Sequence, residues 1–241
     1  ASMKRLLDRC KASIERGLGA PSKALTFELQ ALQPPPKGEA GQAMRSLVLA
    51  TWWLLREIEL SNVRIHGRHV RLGRQEATLY LPVSKVDTRG VGAKRTWPCM
   101  CGRRLGQGGI KVARWWCPKC TLEDQLCYAL KVHGVKQSDD SALNLPLLVD
   151  GAGDHFEKAE VIALWRRCVE RTKEEDEEQI TGHSPRRAGA QMLARANWAR
   201  WQIQFLARHT SSSIDGYVDE AWAGVTTTWA KEVTAGRRRH Q

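Results

Sequence analysis

The sequence lacks any apolar run approaching the 18 or more uncharged residues that a membrane span requires. Its start, Ala1-Ser2-Met3-Lys4-Arg5, has no apolar core of the kind a signal peptide carries. The expectation is therefore a soluble intracellular protein with no membrane partner. Also missing are a glycine-rich phosphate loop, a Gly-x-Ser-x-Gly elbow and a His-Glu-x-x-His helix, so nucleotide hydrolysis, esterase and metalloprotease chemistry have no support. No internal repeat is visible. Acid is in short supply: 26 Asp and Glu stand against 38 Lys and Arg, a formal net charge of +12. With a sequence pI near 9.7, this is the electrostatic footprint of a polyanion binder, and nucleic acid leads as partner. The acidic residues that do occur bunch in Glu174-Glu175-Asp176-Glu177-Glu178, which leaves the remainder more basic still.

What is present is 241 residues, 42% of them hydrophobic, enough for one large domain or two small ones. Helical spacing is expected in residues 4 to 17, closed by Gly17 and Gly19, and again from Gln42 to Leu60, an apolar run with a charged end at Arg56-Glu57-Ile58-Glu59. From Val63 to Val83 the period shortens to two, which predicts two or three antiparallel strands ending near Ser84-Lys85-Val86-Asp87. Helices are expected again at Leu122 to Val132, Glu157 to Glu170, Pro185 to Ala194, Ala199 to Ala207, Ser211 to Trp222 and Val225 to Val233.

Seven cysteines is an odd number, and four of them, Cys99, Cys101, Cys117 and Cys120, fall within 22 residues. Two close pairs, Cys99-Met100-Cys101 and Cys117-Pro118-Lys119-Cys120, are separated by 15 residues, a pattern that suits a structural zinc site in a reducing compartment better than a disulfide framework. Four protein ligands leave no open position for water, so the expected role is structural. Arg103, Arg104, Lys111, Arg114 and Lys119 lie in or beside this insert, interleaved with Trp97, Trp115 and Trp116, and are candidate phosphate contacts.

A second constellation spans the rest of the chain. Arg56 and Glu59 lie at the end of the apolar run, Lys85 just past the strands, and His183-Ser184-Pro185-Arg186 at a helix start. His209 follows 23 residues after Arg186, and Tyr217 eight residues later. This set resembles the catalytic domain of the tyrosine recombinases, the phage-integrase family of DNA strand-exchange enzymes, over residues 20 to 222 or so. In that family an Arg-x-x-Glu, a hairpin Lys, a His-x-x-Arg helix start, a His or Trp, and a Tyr nucleophile occur in this order.

The resemblance implies an α+β, mainly helical fold with a small antiparallel sheet, to which the zinc-binding insert is added. It implies site-specific recombination or integration, of the type found in mobile elements. The reaction would cleave and rejoin DNA strands through a 3′-phosphotyrosine, without ATP or a catalytic metal, on double-stranded DNA and as a dimer to tetramer. By the same likeness Arg56 and Arg186 clamp the scissile phosphate, where planar guanidinium groups match the charge that gathers on its oxygens. Tyr217, with an ordinary pKa near ~10, needs help to lose its proton, and His183 is the base. Lys85 delivers a proton to the leaving 5′ oxygen, His209 bonds a phosphate oxygen, and Glu59 orients His183 or Arg56.

Three features depart from the family pattern. Arg187 stands where members often have His, Arg208 precedes His209 where members commonly have Gly, and the stretch from His209 to Tyr217 is about one residue shorter than in many members. Lys94, further along the same region as Lys85, is a second candidate for the hairpin lysine. Arg187 joins the candidate DNA contacts. Domain boundaries follow the likeness: residues 1–20 as the last helix of a core-binding domain otherwise outside this chain, 21–222 as the catalytic domain with its insert at 96–122, and 223–241 as a C-terminal helix and basic tail. That last helix, with Trp222 and Trp229, is a candidate for exchange with a neighbouring protomer. Two alternatives share much of this pattern: a type IB topoisomerase, and a non-catalytic zinc-containing DNA-binding module. The Cys insert and the Arg-x-x-Glu favour the recombinase. The compartment would be a nucleus or a bacterial cytoplasm.

Overall fold

The computed structural model describes residues 24–81, 92–106, 109–169, 180–208 and 215–222. The expected first helix, Lys85, the acidic run, His209 and the C-terminal segment after Trp222 lie outside these residues.

Helix α1 (Gln42–Trp52) is the axis of the molecule, with every residue but Ala43 buried. A helix buried on all sides needs cover on all sides. It is supplied by α3 (Pro118–His133), α4 (Lys158–Val169) and α5 (Ser184–Arg195), each packed directly on α1. Here the structure corrects the single helix expected from Gln42 to Leu60. Leu54 adopts a left-handed conformation (φ 52°), and the Leu55 N–H reaches back to the Ala50 carbonyl at 2.8 Å, closing α1 with a Schellman turn. A new short helix, α2 (Glu57–Ser61), then begins, so that Arg56 is its N-cap and does not end the helix before it. Glycine usually takes the left-handed position, and a leucine there gives no sign in the sequence.

The sheet is three-stranded and antiparallel in the order β1-β2-β3, with β1 at Val70–Leu72, β2 at Glu76–Leu81 and β3 at Ala93–Pro98. In β2 the period of two sends Ala77, Leu79 and Leu81 into the core. The expected strand at Val63 to Ile65 instead pairs irregularly with the 145–147 segment, through Ile65 N–H to Leu145 O and Leu147 N–H to Val63 O. The third strand lies beyond the expected hairpin, and its last residues were assigned by sequence to the insert.

Two further helices complete the described fold, α6 (Arg200–Ala207) and α7 (residues 215–222). Trp198, Trp97, Trp52, Trp116 and Trp115 form a continuous series of ring contacts, centroids 4.9–6.5 Å apart, running from the start of α6 through β3 and α1 to the insert. Trp97 and Trp116 are thus core, not surface stacking platforms. Among the described residues no helix is long and apolar enough to cross a membrane.

Candidate active site

The Schellman turn after α1 and the N-terminus of α2 set the geometry. Leu54 in its left-handed conformation turns its carbonyl to Arg186, whose Nε donates to it at 2.7 Å. Such a conformation costs a non-glycine residue about 1–2 kcal/mol, and the captured carbonyl is part of what offsets it. Arg186, on the first turn of α5, is 1% exposed and donates its second guanidinium bond to Glu59 Oε2 at 2.6 Å. The same Oε2 accepts the Arg56 backbone N–H at 2.9 Å, closing the first turn of α2.

Glu59 Oε1 lies 2.6 Å from Arg208 Nη2 and 3.7 Å from Arg56 Nη1, so one buried carboxylate is shared by three guanidinium groups. Burial pushes the Arg186 pKa down to about 10, Glu59 opposing that and the charges of Arg56 and Arg208 adding to it. With three guanidinium groups to one carboxylate, the site carries an excess of positive charge and is partly desolvated.

His183 is the N-cap residue of α5, one turn before Arg186. Its pKa is lowered, first by burial and then by Arg56 and Arg186, while Glu57 opposes the shift and Lys158 adds to it. A neutral imidazole at neutral pH is a hydrogen-bond acceptor and a base. Glu59, which the sequence assigned to His183 or Arg56, is committed to Arg186, Arg208 and the Arg56 backbone.

Tyr217 sits in α7, half-buried against the core, with the Arg187 guanidinium 5.8 Å from its ring centroid. No hydrogen bond among the described residues joins its hydroxyl to Arg56, His183 or Arg186. α7 is held by charge. Arg200 of α6 pairs with Asp215 at 3.4 Å and Asp219 at 2.5 Å, and Gln204 donates to Asp215 at 3.0 Å. Arg187 bonds Glu220 at 2.8 Å and also the Ala24 carbonyl, so this expected DNA contact is a buried tie between α5 and α7. Lys94 is exposed on β3 beside Tyr80 of β2.

The four insert cysteines converge. Their sulfur atoms all lie within 4.8 Å of one another, with Cys99 to Cys117 at 3.9 Å and Cys101 to Cys120 at 3.4 Å. A disulfide needs about 2.05 Å, whereas a tetrahedral zinc with 2.3 Å bonds separates its sulfurs by about 3.8 Å. The donor set fits a thiophilic divalent cation. The Met100 N–H also points at Cys117 Sγ at 3.2 Å. Burial pushes the Cys101 pKa up to about 11 and raises that of Cys120 as well, and a bound cation would reverse both shifts.

Of the basic residues around this cluster, Arg103, Arg104 and Lys111 are exposed. Arg114 is bidentate to Asp124 at 2.8 and 3.0 Å, and Lys119 pairs with Glu123 at 2.7 Å, so these two charges are offset locally.

No protein-family model matches the sequence, and no curated protein matches it. Solved structures do. The chain is similar to the XerH site-specific recombinase bound to difH substrate in a pre-cleavage complex, with TM-score 0.52 and 12% identity over 79% of this chain and 46% of that one. It is similar to the XerH post-cleavage complex with palindromic difH, at TM-score 0.52 and 12% identity over 87% of this chain and 49% of that one. A lambda integrase dimer bound to a COC′ core site also matches, at TM-score 0.52 and 15% identity over 83% and 60%. The chain has the tyrosine-recombinase fold. It spans about half the length of the XerH structures it matches.

Within this recombinase fold, sequence reasoning missed Arg208 as a member of the charged cluster. The signal was its departure from glycine. Arg208 closes α6 in the left-handed conformation (φ 55°) that glycine favours, and takes it with a side chain that reaches Glu59. Glu57, read in the sequence only as part of the charged end at Arg56-Glu57-Ile58-Glu59 and given no role, is buried.

Proposed function

We propose that this chain is the catalytic domain of a DNA strand-exchange enzyme that cuts and reseals duplex DNA through a tyrosine, acting in site-specific recombination or integration of a mobile element. The observation that carries the reading is the buried Arg186–Glu59 pair with Arg56 and Arg208 beside it and a neutral His183 on the same helix start. This grouping supplies what phosphodiester cleavage demands: fixed positive charge for the non-bridging oxygens and a base.

In the reaction, Arg56 and Arg186 hold the scissile phosphate. The Tyr217 hydroxyl attacks phosphorus and passes its proton to His183. The bond from phosphorus to the 5′ oxygen breaks, and the hairpin lysine, Lys85, protonates that oxygen while His209 bonds the phosphate. A 3′-phosphotyrosyl ester and a free 5′ hydroxyl result, and the reverse attack by a 5′ hydroxyl reseals the strand with no ATP. Arg103, Arg104 and Lys111 extend the DNA contact on the insert, and the protein assembles on DNA as a dimer to tetramer. Cys99, Cys101, Cys117 and Cys120 would hold a zinc ion, which when bound would crosslink the end of β3 to the start of α3.

The test uses nicked duplexes drawn from a random-sequence pool, in which release of a short fragment traps the covalent intermediate. The expected result is a DNA-linked band on a denaturing gel for the wild type and none for Tyr217→Phe. A wild-type protein that binds the duplexes and yields no such band would overturn the proposal.

A further inference from the structure

Next to the arginine cluster lies a second carboxylate, which the reaction above does not use. Glu57, the first residue of α2, is only 5% exposed. Its Oε1 is 3.4 Å from Nζ of Lys158, a side chain that is itself 65% exposed, and its Oε2 is buried with no hydrogen-bond partner among the described residues. That oxygen lies against the backbone of Gly182: a Cβ built there would fall 1.9 Å from Oε2 and 2.3 Å from the carboxyl carbon. The residue before His183 therefore has to be glycine for Glu57 to sit where it does.

An ion pair with an exposed lysine explains neither feature. Such a pair forms equally well with both groups in water, and burying a carboxylate oxygen without a donor is unfavourable. A carboxylate kept in this way belongs to something nearby that carries or acquires positive charge. The charges acting on His183 are those of Arg56 and Glu57 at the start of α2, Arg186 of α5 and Lys158 of α4, of which Glu57 alone is negative. Glu59 is already neutralised by its own arginines.

We propose that Glu57 is a positioning residue for His183: its buried carboxylate, seated on the Gly182 backbone, orients the imidazole and stabilises the imidazolium that forms when the ring takes a proton. The inference rests on the reading of His183 as the base in tyrosine-mediated cleavage. In that step the Tyr217 hydroxyl proton moves to the imidazole and Glu57 stays ionised throughout, so the new cation beside Arg56 and Arg186 meets a negative charge. The coupling agrees in sign with the upward pull of Glu57 on the His183 pKa.

Two readouts test it. The His183 imidazole is titrated by NMR in DNA-free protein, its resonance assigned by its loss in His183→Asn, and the rate of phosphotyrosyl formation is followed against pH on nicked duplex. Glu57→Gln removes the charge at constant shape and is expected to lower the His183 midpoint by ~0.5 unit or more. The rising limb of the rate profile should move to lower pH by the same amount, a change that a merely structural role would not produce. Gly182→Ala keeps every charge but fills the space of Oε2, and is expected to shift the midpoint the same way. An unmoved His183 midpoint in folded Glu57→Gln overturns the proposal, as does an unmoved one in folded Gly182→Ala should the first variant not fold. A wild type that forms no phosphotyrosyl bond overturns the cleavage reading instead, while the titration still decides the pairing of Glu57 with His183.

Discussion

Three guanidinium groups and one carboxylate meet at Glu59, and the balance between them decides what a single substitution does. Arg186 has given up nearly all its water for two bonds, to Glu59 and to the Leu54 carbonyl. Removing one partner of a buried pair typically costs about 3–5 kcal/mol, because the charge left behind stays desolvated. Glu59→Ala leaves Arg186 and Arg208 facing each other without their shared anion, and also uncaps α2 at the Arg56 N–H. Urea unfolding of Glu59→Ala should therefore show a loss at the upper end of that range, and a loss under about 1 kcal/mol would mean that water already reaches the pair. Arg56, Glu59, His183 and Arg186 were legible because their types and order along the chain resemble the tyrosine-recombinase pattern, and the fold brings all four to one end of α5 and α2. Glu57 and Arg208 were not, since a charge at a helix end looks solvated until the fold covers it.

At the scale of elements, α1 and α5 approach each other closely at Gly189. A Cβ there would lie 2.0 Å from the Thr51 carbonyl oxygen and 2.4 Å from Leu54 Cδ2, so the helices meet backbone to backbone at that level. The backbone oxygen cannot move without moving the end of α1, and that end carries the Leu54 carbonyl on which Arg186 depends. Gly189→Ala should thus cost about 1–3 kcal/mol in stability, the usual range for overpacking. If the proposed cleavage reaction holds, it should also slow phosphotyrosyl formation, because Arg186 is displaced along with the turn. A melting temperature within about 1 °C of wild type would show that α1 and α5 can separate freely, contrary to the tight contact described. Helix positions were readable from apolar spacing, and α3 to α6 fall within a few residues of expectation. The break at Leu54 was not readable, because tertiary contacts to Arg186 and Gly189 hold a conformation that leucine does not favour by itself.

For the whole molecule, the insert is joined to the body at two depths. Near the surface, the four cysteine sulfurs bring the residues after β3 next to the N-terminus of α3. Beneath them, Trp116 and Trp97 bury against Trp52 of the central helix, and Trp52 Nε1 donates to the Trp116 carbonyl at 2.7 Å. The spacing of the cysteines predicted the first connection. The second was hidden, since tryptophans among basic residues look like a nucleic-acid surface in sequence and only the packing turns them inward. These connections predict how metal removal propagates. The protein should carry one zinc per chain by elemental analysis. Stripping it with a strong chelator should lower the melting temperature by several degrees, since the metal's binding free energy is lost and its thiolate ligands would have to take up protons. The apolar contacts beneath should survive, so tryptophan fluorescence of Trp52 and Trp116 ought to stay buried in character while the segment from Cys99 to Gly106 loses hydrogen-exchange protection. Metal affinity should weaken as pH falls, because protons compete for the same sulfurs. If Cys117→Ser instead exposes the tryptophans together with the surface segment, the metal and the aromatic series form one cooperative unit, and the fold of the insert depends on both at once.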